Sequence, residues 1–364
     1  MEPKTTLWKL DSHTRGKHLV LRNYLYAWFP IMGTWNGRIL FIDGFAGPGK
    51  YEGGEDGSPI IALNSIIQHR AQKQITAEVI FLFIEKDESR AEHLQQLVEG
   101  LKPSLPAKCK ADVIKGVFDE TMAQVLDQLD AQAKRLAPCF VMVDPFGVSG
   151  TPMSVMQRIL QNPKSEVYIS FMYSFIHRFK ESPEFEAHLD QLFGTSDWRC
   201  GVAIIDAEQQ RQFYYDLYES QLRKAGAKYV VHFELFQGQR LVYAIFFGTQ
   251  NLTGCDRMKQ AIWKVAPFGD FAFRAARSGQ LTLGLENSDF GPLKEALRTR
   301  YRSSGWVNIQ TISDFIASDQ TDYHTSQFKR GALVPMEDSG EIEVDEGSRK
   351  RKHTYPDGTR LRFL

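Results

Sequence analysis

The residues with the clearest capacity for chemistry form a glycine-rich segment, Asp43-Gly-Phe-Ala-Gly-Pro-Gly49, which separates an apolar run from a predicted helix. Glycines let a backbone approach a ligand closely and adopt conformations that a Cβ atom forbids. The spacing G-x-x-G-x-G differs from the G-x-G-x-x-G of dinucleotide loops, and the lysine of a P-loop is absent. The segment therefore predicts a ligand-binding loop outside those two classes, and the alternative is a loop that only turns the chain. The predicted ligand contacts are Asp43, Gly44, Phe45, Ala46, Gly47 and Gly49.

Acidic and aromatic residues follow the next two predicted strands. Glu85 and Lys86 come directly after the apolar run EVIFLFI. A carboxylate at this place accepts hydrogen bonds from the ribose hydroxyls of an adenosine-containing ligand. Phe118 and Asp119 come one strand later, where the ring could stack on adenine and the carboxylate could accept from its amino group. The alternative for Asp119 is a cap on the following helix.

A short motif, Asp144-Pro-Phe-Gly147, follows the buried run FVMV. In open α/β sheets ligands bind outside the carboxyl ends of the strands, so this motif should face the same crevice as the glycine-rich segment. Asp144 could accept from an exocyclic amine, Pro145 could offer a carbonyl, and Phe146 could stack on a planar base. Such contacts orient a reacting amine rather than move a proton. We predict Asp144, Pro145, Phe146 and Gly147 as catalytic residues, and the alternative is an Asp-Pro turn.

A basic run near the end of the chain comprises Arg349, Lys350, Arg351 and Lys352. On a protruding hairpin such a run would contact nucleic-acid phosphates. Acidic residues at 341–346 precede it and could instead pair with it, which would give a solvated charged hairpin. Both interpretations stay open at this point.

The elements that must position these residues alternate between apolar strands and amphipathic helices. From His13 to Trp28 apolar residues recur at helical spacing, and we expect Pro30 to end this helix. Apolar strands separated by helices of about 10 to 17 residues indicate βαβ units around a parallel sheet. Two β-rich runs, Tyr229–Phe236 and Leu241–Gly248, then predict a closing hairpin. The predicted fold class is α/β, with a Rossmann-like sheet that is mostly parallel and has an antiparallel last hairpin.

The pattern changes beyond about residue 290. Three short helices are predicted at Pro292–Arg302, Ile309–Ala317 and Thr325–Leu333, and a hairpin at Glu341–Val344 and Arg360–Phe363. Three helices followed by a hairpin is the order of a winged-helix domain. The predicted domains are an N-terminal helical segment at 1–36, a ligand-binding α/β domain at 37–270 with a helical insertion at about 175–226, and a winged-helix-like domain at 290–364.

Composition excludes several classes of protein. The 364 residues include 44 basic and 44 acidic side chains, so no global basic field covers the chain. The four cysteines are scattered without a Cys/His cluster, which predicts no metal site. Neither a signal core nor an apolar run of about 20 residues occurs. We expect a cytoplasmic protein without membrane contact.

The segments DGFAGPG, FIEKD and VDPFG, with the closing hairpin, resemble class I S-adenosylmethionine-dependent methyltransferases. More closely, FIDGFAGPGKYEGGEDGSPIIAL, HTRGKHLVLRNYL and VMVDPFG resemble the bacterial three-Cys-motif partner family, TcmP, over residues 12–270. This resemblance implies S-adenosyl-L-methionine as the cofactor and a radical-SAM-like protein with three cysteines as a partner. DPFG is also similar to the motif of tRNA guanine-N2 methyltransferases and, more loosely, to the DPPY of nucleic-acid amino-methyltransferases, from which Phe146 departs.

Together these features lead to two functional hypotheses. The first is a methyltransferase that acts on an amino nitrogen of a DNA or RNA base and works with the radical-SAM-like partner. The second is a non-catalytic adaptor that binds the cofactor and recruits or regulates that partner. The sequence does not distinguish DNA, RNA and protein as acceptors, and it does not set the oligomeric state.

Overall fold

A computed structural model describes residues 5–267, 272–274 and 288–364 of the chain. Its internal contacts form two units, of which the first runs to Gln250 and also includes 273–274. The second unit begins at Asn251. The predicted domain boundary at residue 270 lies outside the described residues, whereas residues 251–267 group with the second unit. No helix of the described residues is both long and apolar enough to span a bilayer.

The first unit is organised around one twisted sheet. Its strands are β1 (Arg38–Asp43), β2 (Glu78–Glu85), β3 (Cys109–Lys115), β4 (Cys139–Val143), β5 (Glu166–Phe171), β6 (Tyr229–Gln237), β7 (Arg240–Thr249) and β8 (Ala272–Arg274). Within the described residues the strand order is β3-β2-β1-β4-β5-β7-β6-β8. The first five strands pair in parallel, and β7 is antiparallel to both β5 and β6. This is the Rossmann-like methyltransferase arrangement, and it confirms the predicted mostly parallel sheet with an antiparallel hairpin.

Helices cover the sheet because their apolar faces need a partner. They are α1 (Ser12–Trp35), α2 (Ser58–Ile67), α3 (Glu88–Leu101), α4 (Phe118–Ala131), α5 (Met153–Leu160), α6 (Tyr173–Phe179), α7 (Pro183–Phe193) and α8 (Ala207–Ala225). Helix α1 lays Tyr24 on the sheet, with ring centroids 5.5 Å from Phe140 and 5.2 Å from Phe247. Helices α6 to α8 occupy the stretch for which the sequence predicted a helical insertion.

The prediction that Pro30 ends the first helix is wrong, because α1 continues through it to Trp35. Proline lacks the N–H that would bond to the carbonyl four residues earlier, which here belongs to Tyr26. The ring Nε2 of His69 lies 2.9 Å from that carbonyl oxygen and takes the place of the missing partner. A contact from a residue 43 positions away therefore lets the helix tolerate the proline.

The second unit combines short helices with a small antiparallel sheet. Its elements are α9 (Leu252–Trp263), α10 (Gly291–Tyr301), β9 (Trp306–Asn308), α11 (Ile309–Ala317), a π-helix (Lys329–Leu333) that continues into α12 (Val334–Asp338), β10 (Ile342–Val344) and β11 (Arg360–Phe363). The strand order is β10-β11-β9. The third predicted helix begins at Lys329 instead of Thr325 and extends past Leu333. Pro335 does not stop it, because this proline falls in the first turn of α12, where its missing N–H is tolerated.

Candidate active site

The glycine-rich segment lies across the carboxyl ends of three strands. Gly44 N donates to the Met142 carbonyl at 2.9 Å, and Ala46 N donates to the Ile84 carbonyl at 3.0 Å. Gly47 and Gly49 have φ values of 62° and 81°, a region that side chains with a Cβ rarely adopt. The segment is therefore a built loop whose backbone is held against the sheet and whose glycines are required by its conformation.

Gly44 also makes room for an aromatic ring. A Cβ atom on Gly44 would lie 2.3 Å from Cδ2 of Phe118, so only glycine lets this ring approach the loop. The Phe118 ring is fully buried and its centroid lies 5.7 Å from that of Phe45. Phe118 belongs to the first turn of α4 rather than to the end of the third strand.

Glu85 ends β2 beneath this loop. One carboxylate oxygen accepts from Gly47 N at 2.8 Å, and the other accepts from Asp87 N at 2.8 Å. Each oxygen keeps a further lone pair, so the buried carboxylate can still accept from a ligand hydroxyl. Asp87, not Glu85, caps α3 by accepting from Arg90 N at 3.0 Å.

Asp119 lies in the first turn of α4 without capping it. The N-cap position belongs to Val117, and no side chain caps this helix. Oδ1 of Asp119 is buried without a hydrogen-bond partner among the described residues. A buried acceptor with no partner is costly, and a ligand N–H would satisfy it. The capping alternative for Asp119 is therefore not what the structure shows.

These residues surround a cavity of about 180 Å³. Its lining includes Gly44, Phe45, Glu85, Lys86, Phe118, Pro145, Phe146 and Gly147. A carboxylate, the three aromatic rings of Phe45, Phe118 and Phe146, and a glycine-rich backbone suit an adenosine-containing ligand, because they supply acceptors for hydroxyls and flat surfaces for a base. The unpartnered Asp119 oxygen beside the lining fits the amino group of such a base.

Asp144 lies at the end of β4 in a buried ion pair with Lys17 of α1. The Ser170 hydroxyl of β5 donates to the other carboxylate oxygen. Burial alone would raise the pKa of Asp144, but the Lys17 ammonium and these hydrogen bonds bring it below the usual value. Burial alone would lower the pKa of Lys17, but the attraction of Asp144, Tyr243 and Tyr51 and the hydrogen bond to Asp144 together raise it above the usual value. Both groups are charged at neutral pH.

Lys17 is the residue that sequence reasoning missed. It lies on the same face of α1 as Leu21 and Tyr24, which the apolar spacing marks as buried. A lysine on a buried helical face needs a compensating carboxylate, and that requirement was the available signal. Its partner, 127 residues away, could be identified only once the sheet had placed Asp144 beside α1.

A second cavity, of about 270 Å³, surrounds this ion pair. It is lined on one side by Gly47, Gly49, Asp144, Pro145 and Phe146, and on the other by Lys17, His18, Tyr51, Ser58 and Tyr243. Burial, reinforced by Lys17, lowers the pKa of His18 to about 3, so this ring is neutral. Phe45, Pro145 and Phe146 line both cavities, which therefore adjoin at the DPFG motif.

Two further groups complete the site. Asp43 is fully buried, and burial raises its pKa to about 7 against the opposing hydrogen bonds from Ser58 and Phe45; its Oδ1 accepts from Phe45 N at 3.2 Å. Phe146 is 41% exposed, and its centroid lies 5.8 Å from that of Trp8. The predicted ligand and catalytic residues thus come together around two connected cavities, with α1 as an unpredicted wall.

The basic run lies in the second unit, and its members differ in burial and in ion pairing. Arg349 is only 2% exposed in its side chain and donates to Glu337 at 2.7 and 2.9 Å. It also donates to Glu346 at 2.7 Å, and Lys352 lies 3.3 Å from Asp338. Among the described residues, only Glu346 of the predicted acidic partners at 341–346 pairs with the run, through Arg349, and the other partners, Glu337 and Asp338, belong to α12. No group of three residues able to hold a metal ion occurs in the described part of the chain.

No protein-family model and no curated protein matches this chain. Among solved structures it is similar to a SAM-dependent methyltransferase from Agrobacterium tumefaciens, at 10% identity and a TM-score of 0.37 over 66% of this chain and 63% of that one. It is also similar to the METTL16 methyltransferase domain, at 14% identity and a TM-score of 0.34 over 66% and 69% of the two chains. A third is the O-methyltransferase TomG from Streptomyces achromogenes in complex with SAM, at 12% identity and a TM-score of 0.33 over 67% and 92%. At such low identities and TM-scores the likeness carries no argument of its own. The fold is assigned from the strand order.

Proposed function

We propose that this protein is an S-adenosylmethionine-dependent methyltransferase that acts on an amino nitrogen of a nucleic-acid base. The observation that supports this most is the meeting of two cavities at Phe45, Pro145 and Phe146. One cavity has the donors and acceptors for an adenosine-containing cofactor, and the other surrounds the carboxylate that would orient the acceptor. We further propose that the protein is cytoplasmic and works with the three-cysteine, radical-SAM-like partner.

S-adenosylmethionine would supply a methyl group on an electrophilic sulfonium. Glu85 would accept from the ribose hydroxyls, and the unpartnered oxygen of Asp119 would accept from the adenine amino group. Phe146 would stack on the acceptor base, while Asp144 and the Pro145 carbonyl would accept from its amine. These contacts contribute orientation, which is worth several kcal/mol when the reacting atoms are well aligned.

The cofactor assignment is tested by Gly44→Ala. The new Cβ must displace Phe118, and overpacking of this kind costs about 1–3 kcal/mol. Because the displaced ring lines the cofactor cavity, we expect this cost to fall on the binding conformation and to lower the S-adenosylmethionine affinity measured by calorimetry by roughly 5- to 150-fold. Gly37→Ala is the matched control, because a Cβ there would meet nothing within 4 Å. Unchanged affinity in Gly44→Ala would contradict the placement of the cofactor.

The acceptor role is tested by Asp144→Asn and by Phe146→Ala. We expect Asp144→Asn to keep cofactor binding within a few-fold and both variants to lower kcat about 100-fold with a nucleic-acid substrate at saturating cofactor, because the amine loses its orientation. Phe146→Ala is informative even if Asp144→Asn folds poorly, since its ring is 41% exposed. Full-rate transfer by a folded Phe146→Ala variant and a folded Asp144→Asn variant would refute the assigned roles.

One observation favours the second function, a cofactor-binding adaptor. Both oxygens of Asp144 are already engaged, one by the Lys17 ammonium and the other by Ser170. An acceptor amine must therefore use the remaining lone pairs or the Pro145 carbonyl. Stable co-purification with the radical-SAM-like partner, together with cofactor binding and no transfer to DNA, RNA or protein, would establish the adaptor.

The predicted winged helix is part of the same proposal. We propose that α10, β9, α11, the helix 329–338 and the β10–β11 pair form a winged-helix domain, in which the loop 345–359 would be the wing; their order along the chain supports this proposal. This order supports a nucleic-acid or protein docking role for the second unit.

A further inference from the structure

The second unit contains a cleft with an unusually uniform lining. Its volume is about 650 Å³, and its walls are the π-helix Lys329–Leu333 and the loop 347–356. The basic residues of the lining are Lys329, Arg330, Arg349, Lys350, Arg351 and His353. No aspartate or glutamate is among the lining residues in the described part of this unit. A concave surface of one sign concentrates anions, although the chain as a whole has no net charge.

Arg349 forms part of the wall of the cleft but does not add to its positive field. Its guanidinium bonds to both oxygens of Glu337 and to Glu346, so its charge is neutralised. The Tyr355 hydroxyl donates to the same Glu337 at 2.6 Å. These bonds fasten the loop to α12 and keep the cleft open against it.

The other cations of the cleft are available to a ligand. Arg330, Lys350 and Arg351 are exposed and form no ion pair with any described residue. The Lys329 ammonium donates to the Tyr355 carbonyl at 2.6 Å and keeps two further N–H donors. His353 pairs with Asp338 at 2.8 Å. Unneutralised charges therefore lie on both walls: Lys329 and Arg330 on the helix, and Lys350 and Arg351 on the loop.

We propose that this cleft binds the phosphate backbone of a nucleic acid, with Arg330, Lys350 and Arg351 as the phosphate contacts. A nucleic-acid strand carries a row of negative charges, one every 3.4 Å or so along its axis, so that several cations in one cleft can each meet a phosphate. Arginine additionally donates to a phosphate through two N–H groups. The proposal deepens the proposed function by locating a surface for its substrate class, and it needs no methyl transfer.

The test compares two triple variants of the full-length chain. Arg330→Gln/Lys350→Gln/Arg351→Gln removes the three cleft cations. Lys352→Gln/Arg360→Gln/Arg362→Gln removes the same number of charges from the same unit, but these residues are paired with Asp338, Asp345 and Glu343. Binding of a short mixed-sequence duplex DNA, and separately of a single-stranded RNA, is measured against salt concentration without S-adenosylmethionine. Melting temperatures verify that both variants fold.

We expect the cleft variant to bind at least about tenfold more weakly at low salt, and to lower the slope of log affinity against log salt by about 2.7 for duplex DNA. The control variant should keep the slope of the unmodified chain. The nucleic acid that the unmodified chain binds more tightly, DNA or RNA, is identified as the ligand. Equal losses in both variants would show a general charge effect and overturn the site. The site would also be overturned if the unmodified chain bound neither nucleic acid, or if it bound polyglutamate more tightly than nucleic acid. Because no cofactor is present, these outcomes are separate from those that test methyl transfer.

Discussion

Asp144 and Lys17 dominate the candidate site at the scale of single residues. Their charges are buried together at the junction of α1 and β4, with side-chain exposures of 24% and 3%. A buried charge is costly to leave unpaired, and the ion pair stabilises chiefly because each partner offsets the burial of the other. The same pair holds Asp144 in its ionised form, which is the form that can accept from an amine.

Lys17→Met should therefore destabilise the protein by about 3–5 kcal/mol at pH 7, since Asp144 is left as an uncompensated buried charge. Lys17→Met/Asp144→Asn should recover much of this loss, because neither position then carries a charge. The measurement is the free energy of unfolding from urea titrations of the two single variants and the double variant. A cost below about 1 kcal/mol for Lys17→Met would mean that the pair is solvated and not buried.

The elements meet around a second buried carboxylate. Glu166 of β5 accepts from the Tyr24 hydroxyl of α1 at 2.7 Å and from the Thr249 hydroxyl of β7 at 2.8 Å. Three elements that are far apart in sequence thus share one side chain. Burial raises the pKa of Glu166 from 4.5 to about 7, so it is largely protonated in the folded protein at mildly acidic pH.

This shift predicts a pH dependence of stability with a definite sign. Between pH 4.5 and about 7 the unfolded chain ionises Glu166 while the folded chain keeps it protonated, so the free energy of unfolding falls as the pH rises. The fall from this residue should reach about 3 kcal/mol and should be absent in Glu166→Gln. Urea unfolding of both proteins across this range, taken as a difference, removes the contribution of Asp43, whose pKa is raised in the same way. Parallel curves would contradict the prediction.

At the scale of the whole molecule, the candidate active site and the basic cleft belong to different units. The cavities around Glu85 and Asp144 belong to the first unit, and the basic cleft belongs to the second. Helix α9 belongs to the second unit because its buried Lys259 donates to the carbonyls of Ile316, Ser318 and Thr321. The zero net charge of the whole chain therefore conceals a local concentration of basic residues in the second unit.

Hydrogen exchange should show this separation directly. S-adenosylmethionine at 100 times its dissociation constant should stabilise the folded state by about 2.7 kcal/mol and slow amide exchange in the segments 44–49 and 144–148. Exchange in the described part of the second unit should not change. NAD at the same concentration is the control and should protect neither segment, because the glycine spacing is not that of a dinucleotide loop. Equal protection by NAD would contradict the cofactor assignment.

The sequence by itself determined the order of the first seven strands and of the helices between them, and it placed three acidic residues of the site correctly. Asp43, Glu85 and Asp144 were placed at the carboxyl ends of strands because apolar periodicity and glycines act locally and can be read from neighbouring residues. The parallel sheet with a closing hairpin follows from the same pattern, and both were confirmed.

Only the tertiary structure decided which polar and charged side chains have a partner. Lys17 meets Asp144, Arg349 is neutralised by Glu337, Asp119 keeps an unpartnered oxygen, and His69 lets α1 pass Pro30. Most of these outcomes depend on contacts between distant segments, and side chains of the same type look alike in the sequence whether or not packing brings them a partner. Burial then makes each partner decisive, because an unpaired charge or acceptor in the interior is costly and a solvated one is not.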